Sequence, residues 1–318
     1  MRQRAYAVPL PPFFCESLSL PRSELVKLYI RNRSTVGLLL ILPTLIVMGV
    51  FTVYPLIDGI RLSFTDRNLL REAVSFVGLA NYVELAQDPV FWLSLWHSLM
   101  LTALAVLLQF VLGLVLASAL KQNLPLVRMM RNIIMASWVI PVVATVVMFQ
   151  FMSQPDYGFI NIVFRLLGFE NLNSYWFGNL NAAFPMIVIM HLWRNIPFYG
   201  VAFMAAMQAI PQDYYDAAKI DGAGTWKAFT NVTIPGIRSM IMVMVTIHVL
   251  WTLNNFDFVY IATGGGPVNA TDILPVYVYR LTWSNYTIGY GSAVGTVMLV
   301  ILAVYFITYM MLYERKQR

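Results

Sequence analysis

One cysteine, Cys15, and three histidines are all that 318 residues hold of the commonest metal-binding and redox side chains. A lone thiol excludes an intramolecular disulfide, and His97, His191 and His248 lie too far apart to form a spaced metal-ligand motif. Charge is scarce too: Asp, Glu, Lys and Arg make up 11% of the chain, against about a quarter in an ordinary soluble domain. The G-x-x-x-x-G-K-[ST] phosphate loop is missing, since Gly222–Lys227 lacks its spacing. No nucleophile–base pair suggests hydrolysis, so the residues point to no catalysis and no ATP hydrolysis by this chain. The beginning does not read as a cleavable signal peptide, because three prolines interrupt Ala5–Phe14 and no small-residue cleavage site follows.

Apolar length fills the space these absences leave. Hydrophobic residues make up 59% of the chain and the mean hydropathy is +0.68. Six segments are long enough to cross a hydrocarbon core of roughly 30 Å as helices: Thr35–Leu56, Leu95–Ser118, Asn132–Met152, Phe184–Met207, Ser239–Ala262 and Gly289–Tyr313. The expected architecture is all-α: one six-span membrane domain over residues 34–318, preceded by a cytoplasmic arm over 1–33. Loop charge orients it. Fifteen Lys and Arg fall in the N-terminal arm, the second loop (Lys121, Arg128, Arg131), the fourth loop (Lys219, Lys227, Arg238) and the tail. The opposite loops hold only Arg61, Arg67, Arg71, Arg165 and Arg280, against eight acids. The positive-inside rule puts both termini in the cytoplasm. The formal net charge of +6 is this bias rather than a nucleic-acid footprint, and lipid is the expected surrounding.

The fourth loop, residues 210–236, is polar and long. It reads as two short amphipathic helices broken at Asp221-Gly222, with Pro211 in the first turn of the first and Gly222 supplying the break. Ala223, Trp226, Phe229 and Val232 recur at helical spacing and form one apolar face, and Pro235 closes the unit. Such a hairpin at a membrane surface is suited to being held by a partner.

These residues resemble the cytoplasmic coupling loop, the EAA loop, of binding-protein-dependent ABC importer permeases. Asp216-Ala217-Ala218 stands at the Glu-Ala-Ala position, with Asp for Glu, followed by Asp221-Gly222-Ala223, Phe229 and Ile234-Pro235. Downstream, Gly264-Gly265-Gly266-Pro267, Asn269-Ala270-Thr271 and Tyr279-Arg280 resemble the carbohydrate-uptake subfamily, the larger maltose-permease subunit and the glycerol-3-phosphate permease in particular. The resemblance runs from Val36 to Tyr313; the maltose subunit's large periplasmic insertion and extra N-terminal spans are missing. It implies a multi-pass subunit of a bacterial inner membrane that imports a sugar or sugar derivative. The implied partners are a second, non-identical permease, two copies of a cytoplasmic ATPase and a soluble solute-binding protein. ATP and Mg would be bound by the ATPases, with no cofactor in this chain. The implied coupling residues are Asp216, Ala217, Ala218, Asp221, Gly222, Ala223 and Phe229.

Polar residues inside spans are costly and mark cavities or helix contacts. Two clusters stand out, His191, Trp193, Arg194, Asn195 and Phe198 in the fourth span, and His248, Trp251, Thr252, Asn254, Asn255 and Asp257 in the fifth. Arg194 lies about ten residues, or roughly 15 Å, into its span. The resemblance puts sugar contacts at His191, Arg194, Asn195, Phe198, His248, Trp251, Thr252 and Asn255. Packing readings stand beside these: Trp193 and Trp251 as core residues, Arg194 and Asp257 as an ion pair, His248 as a helix contact. Gly291 and Gly295 would permit close helix packing, and Pro141 and Pro197 would kink their spans. An ion-coupled secondary transporter working without an ATPase is the alternative, with Asp257 as its only convincing intramembrane carboxylate.

Overall fold

The computed structural model describes residues 37–122, 125–169 and 174–315. The arm 1–33, Cys15 and the tail charges Lys316 and Arg318 lie outside the described residues. The chain divides into two compact units at Asp58/Gly59. The first contributes most of helix α1, Gly37–Leu62, none of whose apolar window is buried and which widens into a π-helical turn over Gly49–Val53.

The regular elements of the second unit are all helices among the described residues, apart from a single isolated bridge between Thr65 and Phe76. Its order is α2 (Ala80–Gln87), α3 (Pro89–Leu120), α4 (Pro125–Val139), α5 (Val142–Met152), α6 (Phe159–Leu166), α7 (Ala183–Gln208), α8 (Gln212–Ile220), α9 (Thr225–Gly236), α10 (Arg238–Leu253), α11 (Phe256–Thr263), α12 (Leu274–Tyr279) and α13 (Ile288–Arg315). Asp88 caps α3, accepting 2.8 Å from Val90 N, and Pro89 fills the first turn, where its missing N–H costs nothing. Arg131 closes the other end by donating to the Leu120 carbonyl oxygen, one of the four carbonyls a helix end leaves unpaired.

Among the described residues, three helices, Gly37–Leu62, Pro89–Leu120 and Ile288–Met311, are long and apolar enough to cross a membrane. Two bent pairs raise the number to five: Met129–Val139 with Val142–Met152, bent by 96°, and Thr225–Gly236 with Arg238–Leu253, bent by 67°. The third expected span is therefore broken at Ile140-Pro141, where proline removes a donor and clashes with the preceding turn. The fifth, expected to run unbroken to Ala262, stops at Leu253 and restarts at Phe256. Pro197, by contrast, sits inside an uninterrupted α7 of 26 residues.

α3 and α7 are the most closely associated pair. Gly113 faces the Tyr199 side chain and Gly200 faces Leu116, and a Cβ on either glycine would collide. Small residues let two helices approach where lipid supplies no hydrophobic drive. Gly291 plays the expected role against Thr282, while Gly295 meets nothing within 4 Å. Two apolar cores result along this axis. One gathers Leu101, Val146, Phe149, Phe184, Ile187, Phe258 and Val259; the other gathers Leu114, Leu120, Tyr199, Phe203, Met207 and Met244.

Candidate functional site

The polar residues of the spans collect between these two cores. Gln109, fully buried in α3, approaches His191 Nδ1 at 2.8 Å through its side-chain nitrogen. Asn195 Nδ2 donates to the His191 carbonyl oxygen one turn below, at 2.9 Å. The His191 ring lies 5.4 Å from Phe258. A second group is aromatic: Phe198 stacks on Trp138 at 5.0 Å and 13°, and touches His248 at 5.8 Å and Trp251 at 6.4 Å. Tyr199 closes on His248 from the core side at 4.5 Å.

The sequence-expected residues thus fall into unlike surroundings. His191, Asn195, His248 and Thr252 are buried within this chain, whereas Trp251 is 52% exposed and Arg194 and Phe198 are half-buried. His248 Nε2, Thr252 Oγ1 and Gln109 Oε1 are buried without a hydrogen-bond partner among the described residues, so this layer keeps unused hydrogen-bonding capacity. Asn255 caps α11, its Oδ1 accepting 3.3 Å from Phe258 N, a local duty that its place in an apparently continuous span concealed. Arg194 makes no ion pair with Asp257 among the described residues; it donates to the Ile140 carbonyl oxygen and lies 6.0 Å from the Phe258 ring. Asp257 is exposed in the first turn of α11, where a negative charge suits the helix N-terminus.

Gln109 and Trp138 were missed in the sequence. Gln109 carried a usable signal, an amide alone in a long apolar run, while Trp138 sat unremarked in a segment read as one span kinked at Pro141.

The fourth loop folds as its residues dictate. α8 ends in a Schellman motif at the expected break: Ala223 N donates to Ala218 O at 2.8 Å, Gly222 N to Lys219 O at 3.0 Å, and Gly222 takes φ +74°. Pro211 stands one residue earlier than expected, as the N-cap of α8. No residue of α8 is buried, and Asp216, Ala217, Asp221 and Gly222 are exposed. Ala218, Ala223 and Phe229 are half-covered. Lys219 lies 3.1 Å from Asp216 and Gln212 donates to it at 3.3 Å; these hydrogen bonds hold the carboxyl below its ordinary range. After the break, Trp226 stacks on Phe229 at 5.8 Å yet stays 74% exposed. Pro235 does not end the unit: α9 runs through it to Gly236 before the bend into α10.

On the far side from this loop, the glycine run makes the expected reversal. Gly264 (φ +60°) and Gly265 (φ +90°) adopt left-handed backbone after α11, and Thr271 Oγ1 bonds Gly266 O at 2.6 Å. Asp272, fully buried, pairs with Arg280. Nearby, Asp88 accepts the hydroxyls of Tyr277 and Tyr290, the latter at 2.8 Å. Burial raises the Asp88 carboxyl, but these hydrogen bonds and those from the backbone outweigh it, and the net shift is downward.

A helical membrane chain with an exposed, glycine-broken helical hairpin between its spans defines a transport-system permease. Residues 109–318 match the family of binding-protein-dependent transport system inner membrane components, and the chain belongs to that family. It is 33% identical to the inner membrane ABC transporter permease protein YcjO of Escherichia coli, over 86% of this chain and 92% of that one. It is 32% identical to the sulfoquinovosyl glycerol transport system permease protein SmoG of Agrobacterium fabrum, over 83% and 86%. The trehalose/maltose transport system permease protein MalF of Thermococcus litoralis is 31% identical, over 88% and 94%. A solved bacterial ABC transporter that imports the acidic polysaccharide alginate shares the fold, with a TM-score of 0.80 at 22% identity, covering 93% of this chain and 100% of that one. The chain is a multi-pass inner-membrane permease subunit, and ATP hydrolysis belongs to partner subunits. Family membership leaves the ion-coupled alternative without support.

Proposed function

We propose that this chain is one of two non-identical permeases of a binding-protein-dependent ABC importer for a sugar or sugar derivative. Named relatives that carry sulfoquinovosyl glycerol and trehalose/maltose support that substrate class. Two cytoplasmic ATPases bind ATP and Mg, and a soluble binding protein delivers the cargo. Six spans cross the membrane, the third broken at Pro141 into α4 and α5, the fifth broken at Asn254-Asn255 into α10 and α11, and the fourth as α7, whose 26 residues extend about 39 Å at ~1.5 Å per residue. Loop charge supports cytoplasmic termini.

The observation that carries the coupling reading is α8: nine residues with none buried, ending on a left-handed glycine. In this reading Asp216, Ala217, Ala218, Asp221, Gly222, Ala223 and Phe229 form the surface an ATPase grips. His191, Arg194, Asn195, Phe198, His248, Trp251, Thr252 and Asn255 form this chain's contribution to the sugar path. Trp251 and Phe198 offer ring faces to the apolar side of a sugar, and the buried polar groups hold the layer behind them in place. The test is isolation of the tagged chain from its native membrane: an ATPase and a second permease copurify, and uptake by the reconstituted assembly needs ATP and the binding protein. Robust uptake by the purified chain alone would overturn the reading.

A further inference from the structure

Beneath the coupling hairpin lies a cavity of about 1040 Å³, walled by α3 on one side and by α8 and α9 on the other. Its interior is apolar, from Val111, Leu114 and Val115 of α3 to Trp226 and Phe229 of α9. Two cations, Lys121 and Lys219, also line it. Val111 and Val115 are 45% and 63% exposed, so the apolar wall continues onto the outward face of a helix apolar enough to span the membrane. Lys121 is held 4.3 Å over the Tyr215 ring, and Tyr215 is fixed in turn by a 3.0 Å hydroxyl contact with Thr233. Lys219 pairs with Asp216 through one oxygen but keeps 68% of its side chain exposed, leaving ammonium donors free to bond elsewhere.

We propose that this cavity seats an anionic glycerophospholipid of the cytoplasmic leaflet, its phosphate between Lys121 and Lys219 and an acyl chain in the apolar interior. Water gains little from such walls, and an empty cavity forfeits dispersion contacts. A lipid tail is the apolar solvent already present on the α3 face. Basic pockets at the cytoplasmic ends of spans select anionic headgroups. The site goes beyond the transport reading, resting on it only for the cytoplasmic placement of the hairpin. A lipid lodged there would brace the hairpin from the side that Lys219, Ala223 and Phe229 line and leave the exposed Asp216, Ala217, Asp221 and Gly222 to the ATPase.

The test uses the whole purified transporter in nanodiscs of equal phosphatidylglycerol and phosphatidylcholine, with retained lipid counted by native mass spectrometry. Wild type is expected to keep phosphatidylglycerol preferentially. Lys121→Gln should lower that retention about five-fold, roughly the contribution of one lysine near an anionic surface, and Lys121→Arg should restore it. Val115→Trp, which fills the cavity without touching charge, should reduce retention of both lipids. Equal retention of the two lipids by wild type, or unchanged phosphatidylglycerol on Lys121→Gln, overturns the proposal. ATPase copurification is scored in the same preparations, so a failure of the coupling reading shows separately from a failure of the lipid site.

Discussion

The guanidinium of Arg194 donates to the carbonyl oxygen of Ile140, the last residue before Pro141 breaks the third span. Each group answers the other's problem. A proline break strands carbonyls that no helix serves, and an arginine at membrane depth costs about 3 kcal/mol or more unless satisfied.

Removing Arg194 should therefore act on assembly as well as on cargo. Arg194→Gln is expected to lower the melting temperature of the assembled transporter and to reduce uptake, with Arg194→Lys recovering part of both. Asp257→Asn should rescue neither, because Asp257 is not the partner. Thermal melts and uptake of the four proteins, the double variant included, decide it; rescue by Asp257→Asn would restore the ion-pair reading.

Gly222 allows a cleaner separation of backbone from docking. None of the described residues lies within 4 Å of a Cβ built there, so Gly222→Ala costs only the left-handed strain, about 1–2 kcal/mol, and should shift local stability modestly. Gly222→Trp should leave the permease inserted while abolishing transport-coupled ATP hydrolysis. Normal stimulated ATPase activity in that variant would remove the coupling assignment.

Gln109 and His191 should behave as a unit. Gln109→Leu leaves the His191 ring nitrogen short of a buried partner, at about 1–3 kcal/mol, while Gln109→Leu with His191→Phe removes both needs at once. The double variant is expected to be less destabilised than the sum of the single changes. Strict additivity in denaturation of the detergent-solubilised protein would mean that the 2.8 Å contact carries no coupling.

Trp251 and Thr252 are neighbours with opposite expectations. Trp251 is 52% exposed and Thr252 is 2% exposed with an unpartnered hydroxyl. Trp251→Ala should assemble normally and lose uptake ten-fold or more, whereas Thr252→Val should change stability little, since no hydrogen bond among the described residues is lost. Wild-type uptake by Trp251→Ala would take that ring out of the sugar path.

Asp88 gives the acid dependence of the surface at the start of α3. Its carboxyl titrates below the ordinary value in the folded chain, so its tyrosine bonds contribute fully above the unfolded value of about 3.9. That contribution disappears as pH falls through the lowered folded value. Asp88→Asn should flatten the acid limb of a melting-temperature profile below about pH 4 without moving the neutral plateau relative to its own value at pH 6. An unchanged acid limb would show that the carboxylate does not govern it.

Much of this was legible in the sequence because it rests on local chemistry. Gly222, Ala223 and the helices on either side follow from positive-φ tolerance and apolar spacing within one loop, and Gly264–Gly265 follow likewise. The fourth span's polar set was visible as costly residues in lipid. What stayed hidden depends on partners far along the chain: Gln109 beside His191, Trp138 on Phe198, Arg194 on Ile140. The break at Asn254-Asn255 was hidden for another reason. Asn254, Asn255 and Asp257 interrupt the apolar run and read as polar residues of a continuous span, whereas Asn255 recaps a new helix, a local hydrogen bond that residue type alone does not distinguish from a cavity-facing role.

The two interrupted spans give the molecule a mechanical layout. Val142–Met152 and Phe256–Thr263 belong to one apolar core, and Gln150 ties them by donating 3.0 Å to Ala262 O. Pro125–Val139 and Arg238–Leu253 supply the other core through Val127 and Met244. Among the described residues, α3 and α7 are the helices that feed both cores without a break. They form a shaft joining the two cores, and Pro141 and Asn254 mark the breaks beside it. A movement of one core relative to the other would have to pass through α3 and α7, whereas the breaks at Pro141 and Asn254 leave the third and fifth spans no continuous helical hydrogen bonds to stretch.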